Sequence, residues 1–112
     1  MKKEKIVKRK KDFDRIINQK KGKATKYFII NCEENNENKT KFGITFVKNI
    51  GNAVTRNKIK RRIKSIIDNN DDIYIKGKNY IIIIRKEAIK LSFQELQNEL
   101  SLAFNKIRRN HE

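Results

Sequence analysis

Residues 51–67, GNAVTRNKIKRRIKSII, carry six basic residues and no acid. Placed on a helix at about 100° per residue, Ile59, Ile63, Ile66 and Ile67 gather in an arc of about 100°, a stripe suited to a core. Asn57, Lys60, Arg61 and Lys64 share a neighbouring arc. Lys58, Ser65 and Arg62 occupy the remaining side, where Arg62 is expected to face solvent, and Arg56 falls at the apolar seam. Thr55 is the expected N-cap, and the free N–H groups of a helix N-terminus suit an anion. A basic run on a helix is most often a solvated face, but solvated faces interleave charges of both signs, and this one does not. Arg56 is open to two readings: a phosphate contact, or a partly buried stem bracing the first turn.

Around this helix the chain reads as one small domain. Asp12 is the expected N-cap of a first helix with Phe13, Ile16 and Ile17 as its stripe, ending near Gly22. Tyr27 to Cys32 reads as a strand, and the acidic, asparagine-rich Glu33 to Asn38 as a solvated loop. Phe42 to Val47 is a second strand, antiparallel to the first if that loop makes a hairpin. Beyond the central helix, Ile73 and Ile75 are expected in a short extended piece and Lys76 to Asn79 in a turn. Tyr80 to Ile84 is continuously apolar, which predicts a central strand covered on both faces. Ser92 and Glu95 form a capping box for a last helix with Phe93, Leu96, Leu100, Phe104 and Ile107 at helical spacing. The expected architecture is an α+β sandwich of order α-β-β-(β)-α-β-α, with one sheet and helices mainly against one face.

The 112 residues include 29 Lys and Arg against 13 Asp and Glu, a net charge of +16. Such a chain repels itself unless a polyanion neutralises it, so nucleic acid is the first partner to expect and a membrane surface the second. No segment approaches the roughly 18 apolar residues of a membrane span, and the basic start lacks the apolar region of a signal peptide; a cytoplasmic location is the default expectation. Residues 1–11, with seven cations and one acid, read as a flexible basic arm. In a chain so rich in lysine, isoleucine and asparagine, with no proline or tryptophan, arginines carry more information than lysines. The single cysteine, Cys32, reads as a small buried hydrophobe.

Catalytic chemistry is hard to build from these residues. Asp71 and Asp72 are adjacent and suit a helix end better than a metal pair, His111 is the only histidine, and no glycine-rich phosphate loop is present. The chain reads as a binder, and any reaction it supports belongs to its partner.

The spacing of Gly51, Ala53, Val54, Arg56, Asn57, Lys60, Arg61 and Lys64 resembles the RNR motif of the bacterial ribonuclease P protein family. The flanking order agrees with it: a basic start with Asp12 and Phe13, a Tyr-Phe strand, FGITFVKNIGNAV, YIIIIRK and LSFQEL. This resemblance implies a mixed sheet with a left-handed β-α-β crossover, and a protein that assists a catalytic RNA in removing the 5′ leader from precursor tRNA. It implies one protein beside the RNA, magnesium ions used by the RNA-containing enzyme, no protein metal ligands and no catalytic residues in the protein. Carried residue by residue, it places catalytic-RNA contacts on Arg56, Asn57, Lys60, Arg61 and Lys64. It places a leader-binding cleft on Phe13, Ile17, Ile29, Asn31 and Thr45, with Lys48 at the edge. On residues alone Phe13 and Ile17, at i and i+4, read first as core, whereas Asn31 beside Ile29 suggests a partly wet strand face. A ribosomal or general RNA-binding protein is the alternative, and an autonomous metal-dependent nuclease a third class.

Overall fold

The computed structural model describes residues 1–20, 22–35, 38–48 and 50–109; His111 lies outside them. Four strands, β1 (Lys23–Ala24), β2 (Phe28–Glu34), β3 (Lys41–Phe46) and β4 (Lys78–Ile84), form one sheet in the order β1-β2-β4-β3. Three helices, α1 (Lys10–Asn18), α2 (Ala53–Asn69) and α3 (Phe93–Arg109), complete the α-β-β-β-α-β-α order, with the two-residue β1 as the extra strand of the first group.

The apolar run of β4 takes the centre, antiparallel to β2 and parallel to β3. Tyr80, Ile82 and Ile84 face α2 and α3, while Ile81 and Ile83 face α1. The expected β2–β3 hairpin therefore does not form, because β4 lies between the two strands. A hairpin would have left the most apolar strand at an edge, where its backbone goes unpaired. Asn35 after β2 and Thr40 before β3 instead meet the turn that enters β4. There the Gly77 N–H donates to Thr40 Oγ1 at 2.9 Å, and Asn35 Nδ2 donates to Asn79 Oδ1 at 2.8 Å. Gly77 itself takes φ +83°, a conformation open to glycine.

The main core joins Phe28, Ile30 and Cys32 of β2 and Tyr80, Ile82 and Ile84 of β4 to the α2 stripe Ile59, Ile63, Ile66 and Ile67 and to Leu96, Leu100, Ala103, Phe104 and Ile107 of α3; Phe93, expected in the α3 stripe, is exposed at the helix start. Phe42 stacks on Tyr80 at 5.6 Å, and Phe104 meets Tyr80 edge-on at 5.2 Å. Ile73 to Ile75 forms no strand. It is a turn pinned by the Tyr80 hydroxyl, which donates to Ile75 O at 2.8 Å and accepts from Ile75 N–H at 3.1 Å; burial pushes this phenol well above its ordinary pKa.

Helix starts differ from expectation in two of three cases. The Ser92–Glu95 capping box forms as read, each backbone N–H donating to the other side chain. At α2 the N-cap is Asn52, whose side chain accepts from Thr55 N–H at 2.9 Å; Thr55 is already helical. At α1 the N-cap is Arg9 without a side-chain bond, and Asp12 lies inside the first turn, where its charge still favours the helix N-terminus. The basic arm is tied down at both ends: Met1 packs on the main core with its ammonium 2.8 Å from Asp68 Oδ2, Ile6 pairs with Phe42 at the outer edge of β3, Val7 N–H donates to Phe42 O at 2.9 Å, and Val7 is buried.

Candidate nucleic-acid interface

Helix α1 lies on the sheet face opposite α2 and α3 and rests on Ile16, 1 % exposed, against Ile81 and Val7. Its two flanks differ. On one, Arg15 and Gln19 reach Glu33 of β2, which is in the strand rather than in the expected loop. Arg15 Nη2 and Nε donate to the two carboxylate oxygens at 2.6 and 3.1 Å, Gln19 Nε2 donates at 2.8 Å and Asn79 Nδ2 at 3.0 Å. The Arg15 guanidinium, helped by the two amides and opposed by burial, holds the Glu33 carboxyl at about 2, below its ordinary 4.5. Because the folded state has the lower pKa, the unfolded chain binds more protons between these values and stability falls as pH drops through them. Thermal melts of Glu33→Gln and the parent should therefore differ above pH about 4.5 and converge as the pH approaches about 2.

The other flank of α1 is open. Phe13 and Ile17, both partly buried, line a groove of about 360 Å³ with Ile44 and Thr45 of β3, Asp14, and Lys8 and Lys10. Phe13 sits directly on Gly43: a Cβ at that position would meet Phe13 Cζ at 2.5 Å and Ile81 Cδ1 at 2.7 Å, so a glycine makes this seat. Of the other expected cleft residues, Ile29 is half-buried on the same sheet face, paired across to Ile83, and Lys48 is exposed just past β3. Asn31 differs from expectation. It is 5 % exposed, because the backbone at Gly22 packs so closely on its side chain that a Cβ there would lie 2.8 Å from Asn31 Cγ; its strand position is dry.

On α2 the expected donor arc divides. Asn57 and Arg61 are exposed, whereas Lys60 and Lys64 are partly covered where the helix passes the β3 edge. Lys60 Nζ lies 5.9 Å from the centre of the Phe46 ring. Lys60 and Lys64 line a hollow of about 250 Å³ with Lys8, Phe13, Phe42 and Ile44. Lys8, Phe13 and Ile44 thus belong to both the groove and this hollow, and the α1 cleft runs into the basic side of α2. Since Val47 N–H bonds Ile84 of β4 and Phe42 O bonds the arm, backbone alternation turns the peptide of Ile44 outward to the same open edge.

Arg56 is a brace. Its Nη1 donates to the carbonyls of Ile50 and Gly51 at 3.1 and 2.9 Å, closing the turn before α2. Arg62, expected in solvent, is partly covered; it lies about 40° from Ile66 on the wheel, so its stem runs beside the apolar stripe. Sequence reasoning did not single out Lys8, Lys10 or Ile44 as lining residues, nor Arg15, Gln19 and Glu33 as a tie. The basic run of residues 1–11 was the signal for the first two; Ile44 reads as an ordinary strand residue until the strand order puts it at an edge. Among the described residues no group of three or more His, Cys, Asp or Glu stands together, and no helix is long and apolar enough to cross a membrane.

Fold and site together define a cationic α+β protein whose sheet groove and basic helix open onto one edge. The family model described as ribonuclease P matches residues 1–108. The chain is 40 % identical over 101 residues to the ribonuclease P protein component of Mycoplasma mycoides, covering 89 % of this chain and 93 % of that one. It is 38 % identical over 100 residues to that of Streptococcus pneumoniae, covering 89 % and 81 %. A structure of a Staphylococcus aureus RNase P protein mutant superposes with a TM-score of 0.83 at 33 % identity, covering 95 % of this chain and 90 % of that one. This chain belongs to the ribonuclease P protein component family.

Proposed function

We propose that this chain assists the ribonuclease P RNA in removing the 5′ leader from precursor tRNA, with α2 contacting the catalytic RNA and the α1–β3 groove holding the leader. The observation that carries the reading is the continuity of the two surfaces: Lys8, Phe13 and Ile44 line both the groove and the hollow beneath Lys60 and Lys64. A single strand leaving an RNA surface on α2 enters the groove without crossing an acidic barrier, since among the described residues Asp14 is the one carboxylate lining either hollow. In the groove, lysines meet phosphates and Phe13 offers a ring edge and face to a base. This lining of lysines with one carboxylate does not suit a divalent cation, so magnesium in this reading is held by the RNA-containing enzyme. Arg56 acts indirectly, fixing the turn from which α2 presents Asn57, Lys60, Arg61 and Lys64.

Reconstitution tests the reading. Precursor tRNA should be cut to a mature 5′ end only when ribonuclease P RNA and this chain are both present at low magnesium; cleavage by the chain alone would overturn it, and binding to RNAs at large without stimulation would favour a general RNA-binding protein. In the assembled enzyme, affinity for precursor over mature tRNA should rise with the first leader nucleotides. Phe13→Ala should reduce that gain about fivefold or more, the lower end of one base–aromatic stack. An unchanged gain would take Phe13 out of the leader site.

A further inference from the structure

The two flanks of α1 are held differently: Glu33 ties one to the sheet through hydrogen bonds, and Phe13 seats the other on Gly43 by packing. Around its axis Gln19 and Phe13 lie about 60° to either side of Ile16, and Arg15 and Ile17 about 100° to either side. Ile16 is the one residue of the helix fully buried, a pivot rather than a clamp. The helix has nine residues and no side-chain cap at Arg9, so it is too short to hold its place by its own hydrogen bonds. Rotation about Ile16 would carry Phe13 and Ile17 toward the sheet or away from it, closing or opening the groove. Arg15 and Gln19 tie this helix to the sheet through their hydrogen bonds to Glu33. Glu33 is 13 % exposed, and Asn79 from the neighbouring strand fixes it from below.

We propose that Glu33 is a positioning residue: through the Arg15–Gln19 fork it sets the rotation of α1 and hence the width of the groove in which the leader is held. This rests on the leader-binding reading above. Glu33 touches no RNA in this assignment; it lies on the far flank of the helix from the groove and acts through Phe13 and Ile17. The fork is suited to the role because Arg15 binds the carboxylate through two nitrogens and Gln19, one turn on, adds a third point, so both the height and the rotation of the helix are specified. Asp12, which accepts from Arg15 Nη1 at 2.7 Å, orients the guanidinium from within the same helix.

Glu33→Gln and Arg15→Ala, alone and together, test this in the enzyme assembled with ribonuclease P RNA. Arg15 is half-exposed outside the sheet, so its variant reports on the tie even if the strand variant folds poorly. Each single substitution should cut the leader-length gain in affinity about threefold, less than Phe13→Ala does, because the tie acts through Phe13 and Ile17. The double variant should lose no more than either single one, and affinity for mature tRNA should not change. Arg15→Lys, keeping the charge without the fork, should recover part of the gain. On the protein alone, amide hydrogen exchange of Asp14 to Asn18 should quicken while that of β4 stays as it was. A leader gain or an α1 exchange rate unaffected by both single variants would overturn the proposal, as would equal losses for precursor and mature tRNA. If the parent enzyme shows no leader gain at all, the leader reading fails first, and the exchange measurement shows separately whether Glu33 holds α1.

Discussion

Lys60→Ala, Arg61→Ala and Lys64→Ala combined should weaken binding to ribonuclease P RNA roughly a hundredfold and flatten its salt dependence by about three units of slope, close to one per lost phosphate contact. The three side chains span the basic side of α2 where it passes the β3 edge. Arg61 is exposed and presents a full guanidinium; Lys60 and Lys64 are partly covered, and Lys60 rests near the Phe46 ring, so little freedom is lost when they meet phosphate. None of the three takes part in the core stripe of Ile59, Ile63, Ile66 and Ile67, so folding stability should stay within about 0.5 kcal/mol of the parent. Arg62→Ala is the internal comparison. Its stem lies beside the apolar stripe on the other border of the helix, and it should change the slope by much less than Arg61→Ala. Filter binding or fluorescence titration from low to moderate salt measures both quantities, and a slope unchanged by the triple substitution would remove this side of α2 from the RNA interface.

Phe104→Ala should destabilise the protein by about 3–5 kcal/mol, a large part of the ~5–15 kcal/mol that a domain of this size possesses. The ring is 2 % exposed, edge-on to Tyr80 at 5.2 Å and tilted against Tyr74 at 6.0 Å. Tyr80 cannot swing to fill the space, since its hydroxyl is bound at both the N–H and the carbonyl of Ile75. A cavity between α3 and the sheet is therefore the expected result, and cavities that cannot collapse are the costly ones. Urea unfolding should show the midpoint falling with little change in slope. Phe104 lies on the α2–α3 side of the sheet, away from the groove, so leader-length dependence measured well below the melting temperature should be kept. A loss below about 1 kcal/mol would mean that α3 repacks over the site.

The α1–β3 groove and the α2 surface were legible to different degrees. The isoleucine stripe of α2, the capping box at Ser92 and Glu95 and the central place of Tyr80–Ile84 follow from periods of 3.6 and from unbroken apolar character, which local sequence carries directly. The cleft residues Phe13, Ile17 and Thr45 came from the family pattern, and the structure puts them in one groove; spacing alone pointed Phe13 and Ile17 to the core. Asn31 misled because alternation tells which strand face a residue shares, not what covers that face. Arg56 could be placed at the seam by angle, but only the turn at Ile50 and Gly51 shows what its guanidinium holds.

By itself the sequence determined the elements, their apolar faces, the charge that requires a polyanion and the spaced motif of α2, because each is written in neighbours a few residues apart. The tertiary structure decided that β4 separates β2 from β3, that Ile44 faces an open edge joining groove to helix, and that Glu33 meets Arg15 across 18 positions of chain. Those depend on which surfaces bury each other best. The centre of the sheet goes to the strand that loses most by being exposed, and every contact made across that sheet follows from its position.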